Sequence, residues 1–459
     1  MHPIAIQSRI RRIGLALMVV CLLAATLAME NPRPTTAAPP GWTAPENIGR
    51  TTYGSYQPSL VMDSQGYSHA VWWGNAEVET ERVIWYANNR SGTWSTPKAI
   101  SPVTECRYPK LAITPSDGLH VVYVDWASKQ IIHTFSTDYG ATWSPRQNIS
   151  LSPLKTSEPD VATDAEGNVH AVWIDQRWTG GEYQVTYAKR TAGTWGAPVR
   201  VQSTIGFNKG PRVVTNGTGA NLRVHVVFYG KSSSADPDYK YETYYVRGTG
   251  SSWETVKNLS SSPNLASYTP CIATDEISAL YVVWDENPNN PPNYHDIYMK
   301  YSTDNGATWS AVLPVIIDAA LSRYPAVAYG QYLAHIGFDD KTAGDGDIYY
   351  STYDPISGQI STPVNLSETS GESSAVDLAV NACRVGASWQ DRVNVGRPLD
   401  IYYATTPPTP PGPCPGIRPE GTVGIVAQDP PGSPAYTRLL TVALNFQATA
   451  APGLSLIHI

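Results

Sequence analysis

Short alternations of apolar and polar positions recur along the chain at near-constant spacing, and they predict β-strands rather than helices. One phrase opens each interval: a proline, an apolar pair, a short turn with Asp or Gly, then His-x-Val-Trp and an acidic residue. It runs from Pro58 to Trp72, Pro109 to Tyr123, Pro159 to Trp173, Pro211 to Phe228, Pro270 to Trp284 and Pro325 to Phe338. A weaker seventh copy runs from Val376 to Trp389, and successive starts lie 51, 50, 52, 59, 55 and 51 residues apart. Each copy continues with an aromatic third segment, such as Val83 to Tyr86 or Ile401 to Tyr403. A fourth segment follows a Trp, as in Trp94 to Ile100 and Trp143 to Ile149. Four short strands repeated seven times predict an all-β, seven-bladed β-propeller of four-stranded blades. Proline fits the start of the first strand, where no ladder N–H is required.

The ends of the repeat predict how the ring closes. The seventh copy stops after its third strand, at Ala404, while an orphan fourth-strand phrase, Trp42 to Ile48, stands near the N-terminus. The strands balance only if this N-terminal strand closes the last blade. Closure of that kind removes the open edge that would otherwise recruit other chains.

Two hairpins between third and fourth strands carry the same eight-residue phrase. It reads Ser136-Thr-Asp138-Tyr-Gly140-Ala-Thr-Trp143 and Ser302-Thr-Asp304-Asn-Gly306-Ala-Thr-Trp309. Both resemble the Asp box of the sialidase-like (BNR) β-propeller family, over roughly residues 42 to 404. In such a turn Asp138 and Asp304 accept backbone N–H groups, Gly140 and Gly306 permit positive φ, and the Trp covers the hairpin's apolar side. The resemblance implies a fold, and fold alone does not fix activity. It also implies that a ligand sits at the end of the ring opposite the Asp boxes, before the repeat prolines and after the strand-two aromatic.

Around that face the residue types vary between copies. Arg107 and Arg323 share the phrase Arg-Tyr-Pro, distantly similar to the Arg-Ile-Pro of sialidases, and a guanidinium fork matches a carboxylate; a salt bridge to a neighbouring blade is the competing reading. After strand two come Asp125, Asp175, Glu286, Asp340 and Asp391, as acids for catalysis or as turn caps. Arg177 follows Asp175 in the same exit loop. Ten of the 14 Trp occupy recurring positions, but Trp126 and Trp178 fall in strand-two exit loops. Flat aromatic faces of this kind stack on sugar rings. His69, His120, His170, His225 and His335 share one strand position, which predicts a structural role. Sialidases need three arginines and a Tyr–Glu pair, and these cannot be assembled here at matching positions. Catalytic residues are therefore left unassigned. The 339–347 loop, rich in Asp, could hold calcium but fits no standard calcium spacing, and no other cofactor is expected.

Composition narrows the class. A formal charge of −7 with no clustered Lys/Arg face argues against nucleic acid. Arg9, Arg11 and Arg12 precede an apolar run from Ile13 to Leu27, followed by small residues, the pattern of an export signal within residues 1–40. No further apolar span follows, so the mature chain is expected to be extracytoplasmic, without a membrane span, and monomeric. Cysteine spacing predicts no disulfide framework. Residues 405–419 read as a Pro-rich linker, 420–453 as the start of a truncated, immunoglobulin-like β segment, and 454–459 as a sequencing artefact. The leading functional expectation is a secreted propeller that recognises a glycan or other surface ligand. An exo-acting glycoside hydrolase (an exo-α-sialidase) and a structural spacer are the alternatives.

Overall fold

The computed structural model describes residues 38–407, apart from 52, 77–80, 180, 234, 238–240, 263–264, 290–293, 343, 345, 368, 370 and 393–397. The export signal, most of the linker, the C-terminal β segment and the terminal hexapeptide lie outside the described residues.

Seven antiparallel sheets form the chain, each read outward as strands one to four. In blade 1 these are Ser55–Met62, Ser68–Asn75, Arg82–Asn88 and Lys98–Ala99. The first strands of blades 2 to 7 are Cys106–Ile113, Thr156–Thr163, Phe207–Asn216, Ala266–Thr274, Arg323–Gly330 and Ser373–Val380. In blades 3 and 6 the outer strand is split into two short pairings. First strands lie beside one another around the axis, and that of blade 7 contacts that of blade 1. The N-terminal strand Glu46–Asn47 pairs with Asp400–Thr405, placing Glu46 opposite Tyr403. The ring is therefore seven-bladed and closed as the strand balance requires.

Apolar positions of one blade meet those of the next, so the core is seven clusters, one per seam. Trp72, Trp173, Trp284 and Trp389, which end the strand-two phrase, are fully buried in it. The Asp boxes adopt the expected turn. Thr142 N–H and Thr142 Oγ1 donate to Asp138 at 2.8 and 2.6 Å, and Ser136 Oγ accepts Gly140 N–H at 2.8 Å. These donors, the Thr142 hydroxyl foremost, hold the Asp138 carboxyl down at about 2. The Trp also reaches beyond its own blade. Trp143 and Trp309 lie edge-on to Tyr86 and Tyr245 of the preceding blade, at 5.2 and 4.8 Å. Gly306, at φ +75°, sits where any Cβ would strike the Tyr245 hydroxyl. The Asp box is thus a seam between blades as well as a turn.

The repeated histidines are buried beneath this seam. His69, His170, His225 and His335 hold Tyr86, Tyr187, Tyr245 and Tyr350 through Nδ1 at 2.6–2.8 Å. Burial lowers His225 to about 3, and His120 and His335 to about 4. Below about pH 6.5 the unfolded chain takes up protons that the folded chain refuses, so stability present above that pH is lost as pH falls. Asp391, pushed up to about 6 by burial, acts in the opposite sense. The melting temperature is expected to drop between about pH 6.5 and about pH 4, with His225→Asn flattening the slope. A scan that stays level across that window contradicts the account.

One cysteine expectation is corrected. Cys383 is disulfide-bonded, its partner lying outside the described residues, whereas Cys106 and Cys271 are free. The chain leaving blade 7 returns past that hairpin, with Thr406 N–H bonded to Val385 O at 2.9 Å.

Candidate functional site

Every first strand carries a bulge at the same place, just before its second half. The bulged residues are Gln57, Tyr108, Glu158, Gly210, Thr269, Tyr324 and Ala375, with φ of 49, 55, 52, 54, 43, 51 and 57°. Six are not glycine, and six precede a proline, which itself disfavours helical conformations in the preceding residue. Such conformations cost roughly 1–3 kcal/mol each and persist where the surroundings impose them. The bulge turns these side chains toward the mouth of the ring. Because strand one begins where strand two ends, this mouth lies opposite the Asp boxes.

All seven blades line a cavity there of about 760 Å³. Its floor is formed by residues after the bulge, among them Lys110, Arg212 and Asp377. Carboxylates at this level tie neighbouring blades together: Asp160 accepts Val213 N–H at 2.8 Å, and Asp377 accepts Leu60 N–H at 2.9 Å.

Of the eight ligand-site candidates, Trp126 and Arg323 line this cavity. Trp126 is held between Arg107 and Lys155, whose charges lie 4.8 and 4.9 Å from its ring. Arg323 rests against the Tyr324 ring at 5.3 Å and has no ion pair among the described residues. The other six sit outside the wall, each with a local partner. Arg107 is paired to Glu105 at 2.6 Å and faces Trp73. Asp125 caps its own turn through Ala127 N–H at 3.1 Å. Asp175 is fully buried and accepts from Ser152, the Trp173 indole and Arg177, at 2.7, 3.2 and 2.8 Å. Arg177 is therefore committed to Asp175, and its charge lies 5.5 Å from the Trp178 ring. The Trp178 indole donates to Thr186 at 2.7 Å. Asp340 is buried against Ser322 at 2.6 Å. Alternation explains the offset: the repeated acids turn to one face of the sheet and their preceding neighbours to the other.

Those preceding neighbours are Trp73, Val124, Ile174, Tyr229, Asp285, Asp339 and Gln390. They vary as the bulge residues do, a signal present in the repeat, and two are carboxylates in adjacent blades. Asp285 is satisfied, with His295 Nδ1 at 2.7 Å on Oδ2 and the Thr269 hydroxyl on Oδ1. Asp339 is 7% exposed and lines the cavity. Its Oδ2 accepts Ala375 N–H at 3.3 Å, while Oδ1 has no partner. Burial pushes this carboxyl well above the ordinary range, with Arg323 partly opposing and Asp285 and Glu372 adding to the rise.

Among the described residues no group of three His, Cys, Asp or Glu side chains is arranged to hold a metal ion; the 339–347 loop is described only in part. No described helix is long and apolar enough to cross a membrane.

No family model matches this chain, and no curated protein matches it in sequence. Solved structures match in fold. A protein of unknown function from Dyadobacter fermentans aligns at 11% identity and TM-score 0.50, covering 80% of this chain and 99% of that one. A polysaccharide lyase aligns at 9% and TM-score 0.51, covering 76% and 89%. A puromycin-hydrolysing peptidase of Mycobacterium tuberculosis aligns at 12% and TM-score 0.50, covering 80% of this chain and 54% of that one. At such identities the likeness is one of fold.

Proposed function

We propose that this protein is an exported carbohydrate-recognition propeller that takes a glycan into its axial cavity. The observation that carries the reading is the wall itself. Seven equivalent bulge positions hold six residue types, and the cavity surface around them combines Tyr108, Trp126 and Tyr324 with Arg323, which has no ion pair among the described residues. Aromatic faces with a few convergent polar groups are what a sugar ring requires of a pocket. A polysaccharide lyase among the fold neighbours accords with this chemistry. A three-arginine clamp of the sialidase kind is less well supported. Arg212 and Arg323 are the arginines lining the cavity, and Arg212 lies in the field of Asp160.

Calorimetric titration with oligosaccharides tests the reading. Trp126→Ala and Arg323→Ala are each expected to weaken binding about tenfold or more, near 1.4 kcal/mol. Trp178→Ala, outside the wall, is expected to leave the affinity unchanged. Absence of binding to neutral and acidic oligosaccharides alike, or equal losses at Trp126 and Trp178, would defeat the proposal.

A further inference from the structure

We propose that the glycan taken into the axial cavity is a polyanionic chain, with carboxylates or sulfates on recurring residues. Lys155, Lys209 and Arg323 receive its charges from separate blades. The inference rests on the reading of the cavity as a glycan site and names the chemical class of that ligand.

The chain carries a formal charge of −7, yet six basic and only four acidic side chains line the cavity. The two sets are used differently. Three of the four acids are committed to knitting blade to blade. Glu158 accepts Gly210 N–H at 2.6 Å, Asp339 accepts Ala375 N–H at 3.3 Å and Asp377 accepts Leu60 N–H at 2.9 Å, each from the following blade. Burial also drives Asp339 toward its neutral form. The bases have no such duty. Lys155, Lys209, Arg323 and Lys341 line the cavity, and among the described residues their side chains make no ion pair and no hydrogen bond. A concave surface left with one sign of charge focuses its field on an incoming ion of the other sign.

A solvated lysine needs no partner, and it is the placement of these cations that sets them apart. Lys155 Nζ lies 4.9 Å from the Trp126 ring, and Lys209 Nζ lies 5.5 and 5.7 Å from the Phe207 and Tyr241 rings. The Arg323 guanidinium lies 5.3 Å from the Tyr324 ring. A cation held on an aromatic face keeps its place and keeps its N–H donors for an anion. The same device therefore recurs where the chain enters blades 3, 4 and 6. Each cation is fixed on a ring of its own, so the set suits charges spaced along a chain better than one carboxylate clamped by converging arginines.

The test uses calorimetric titration of the full chain at several salt concentrations. The carboxylate probes are galacturonic acid, its hexamer and the carboxyl-reduced hexamer; the sulfate probes are a carrageenan hexasaccharide and its desulfated form. At least one charged hexamer is expected to bind, about tenfold or more tightly than the acid monomer or the uncharged hexamers. Its affinity should fall as salt rises. Lys155→Ala and Lys209→Ala are each expected to weaken it about tenfold and to flatten the salt dependence, with the melting transition unchanged. Lys300→Ala, on the third strand of blade 5 and outside the cavity, should change neither. Uncharged hexamers that bind as tightly as charged ones overturn the polyanion and leave the glycan reading standing. Monomer bound as tightly as hexamer overturns the chain. Losses at Lys300 equal to those at Lys155 and Lys209 overturn the assignment of the cations. Failure of every probe, charged and uncharged, overturns both readings.

Discussion

Replacing Trp42 and Ile48 together by alanine is expected to cost the ring most or all of its stability. These residues flank the two-residue strand that completes blade 7, and they serve different seams. Trp42 lies in the cluster between blades 6 and 7, edge-on to Tyr350 at 4.9 Å. Ile48 is fully buried between blades 7 and 1, with its N–H on Ile401 O at 2.8 Å. A buried Trp→Ala change costs about 3–5 kcal/mol and Ile→Ala about 2–5. Sites in separate clusters add approximately, so the pair removes about 5–10 kcal/mol from a total that is typically about 5–15. Unwelding the last blade also exposes the Asp400–Thr405 edge to other chains. Guanidinium unfolding read by Trp fluorescence checks this: the double variant should unfold at far lower denaturant and aggregate. Val312→Ala, a change at a side chain 38% exposed, should not. A wild-type midpoint in the double variant would mean that the ring holds without its N-terminal strand.

That closure is legible in the sequence because it is a counting problem. Third strands outnumber fourth strands by one at the end of the repeat, and Trp42 to Ile48 supplies the missing piece. The face of the ring that holds the cavity is legible too, since hairpin connectivity alone places the repeat prolines opposite the Asp boxes. What fails is the step from loop to wall. Asp125, Asp175 and Asp340 attract notice because they are acidic and follow the strand-two aromatic, yet a strand alternates. Acids in that register turn into the blade, where Ser152, Ser322 and the indole of Trp173 receive them. Repetition at a position argues for structure, and variation argues for freedom to bind. Variation from Trp73 through Asp285 and Asp339 to Gln390 marks the positions one residue earlier, of which Tyr229, Asp339 and Gln390 line the cavity. The role of the Asp-box Trp is hidden for another reason: its partner, Tyr86 or Tyr245, belongs to the preceding blade, and no local pattern reports a contact made across a seam.

Asp339→Asn is expected to stabilise the protein, and to do so more strongly as pH rises. An unfolded Asp ionises near 3.9, whereas burial holds folded Asp339 well above the ordinary range. Between those two values the folded chain retains a proton that the unfolded chain has released. Stability contributed by this group is thus fully present below about pH 3.9 and falls by about 1.4 kcal/mol per pH unit until the folded acid ionises. Asparagine keeps the shape, can still accept the Ala375 amide through its oxygen, and has no charge to bury. The melting temperature of the variant should match the wild type near pH 4, rise above it through neutral pH, and level off once the wild-type acid has ionised. Gained stability on removal of the charge is the signature of a carboxylate whose burial the fold does not require. A structural carboxylate gives the opposite result: if Asp339→Asn melts below the wild type at every pH, then Oδ1 has a partner that matters to folding.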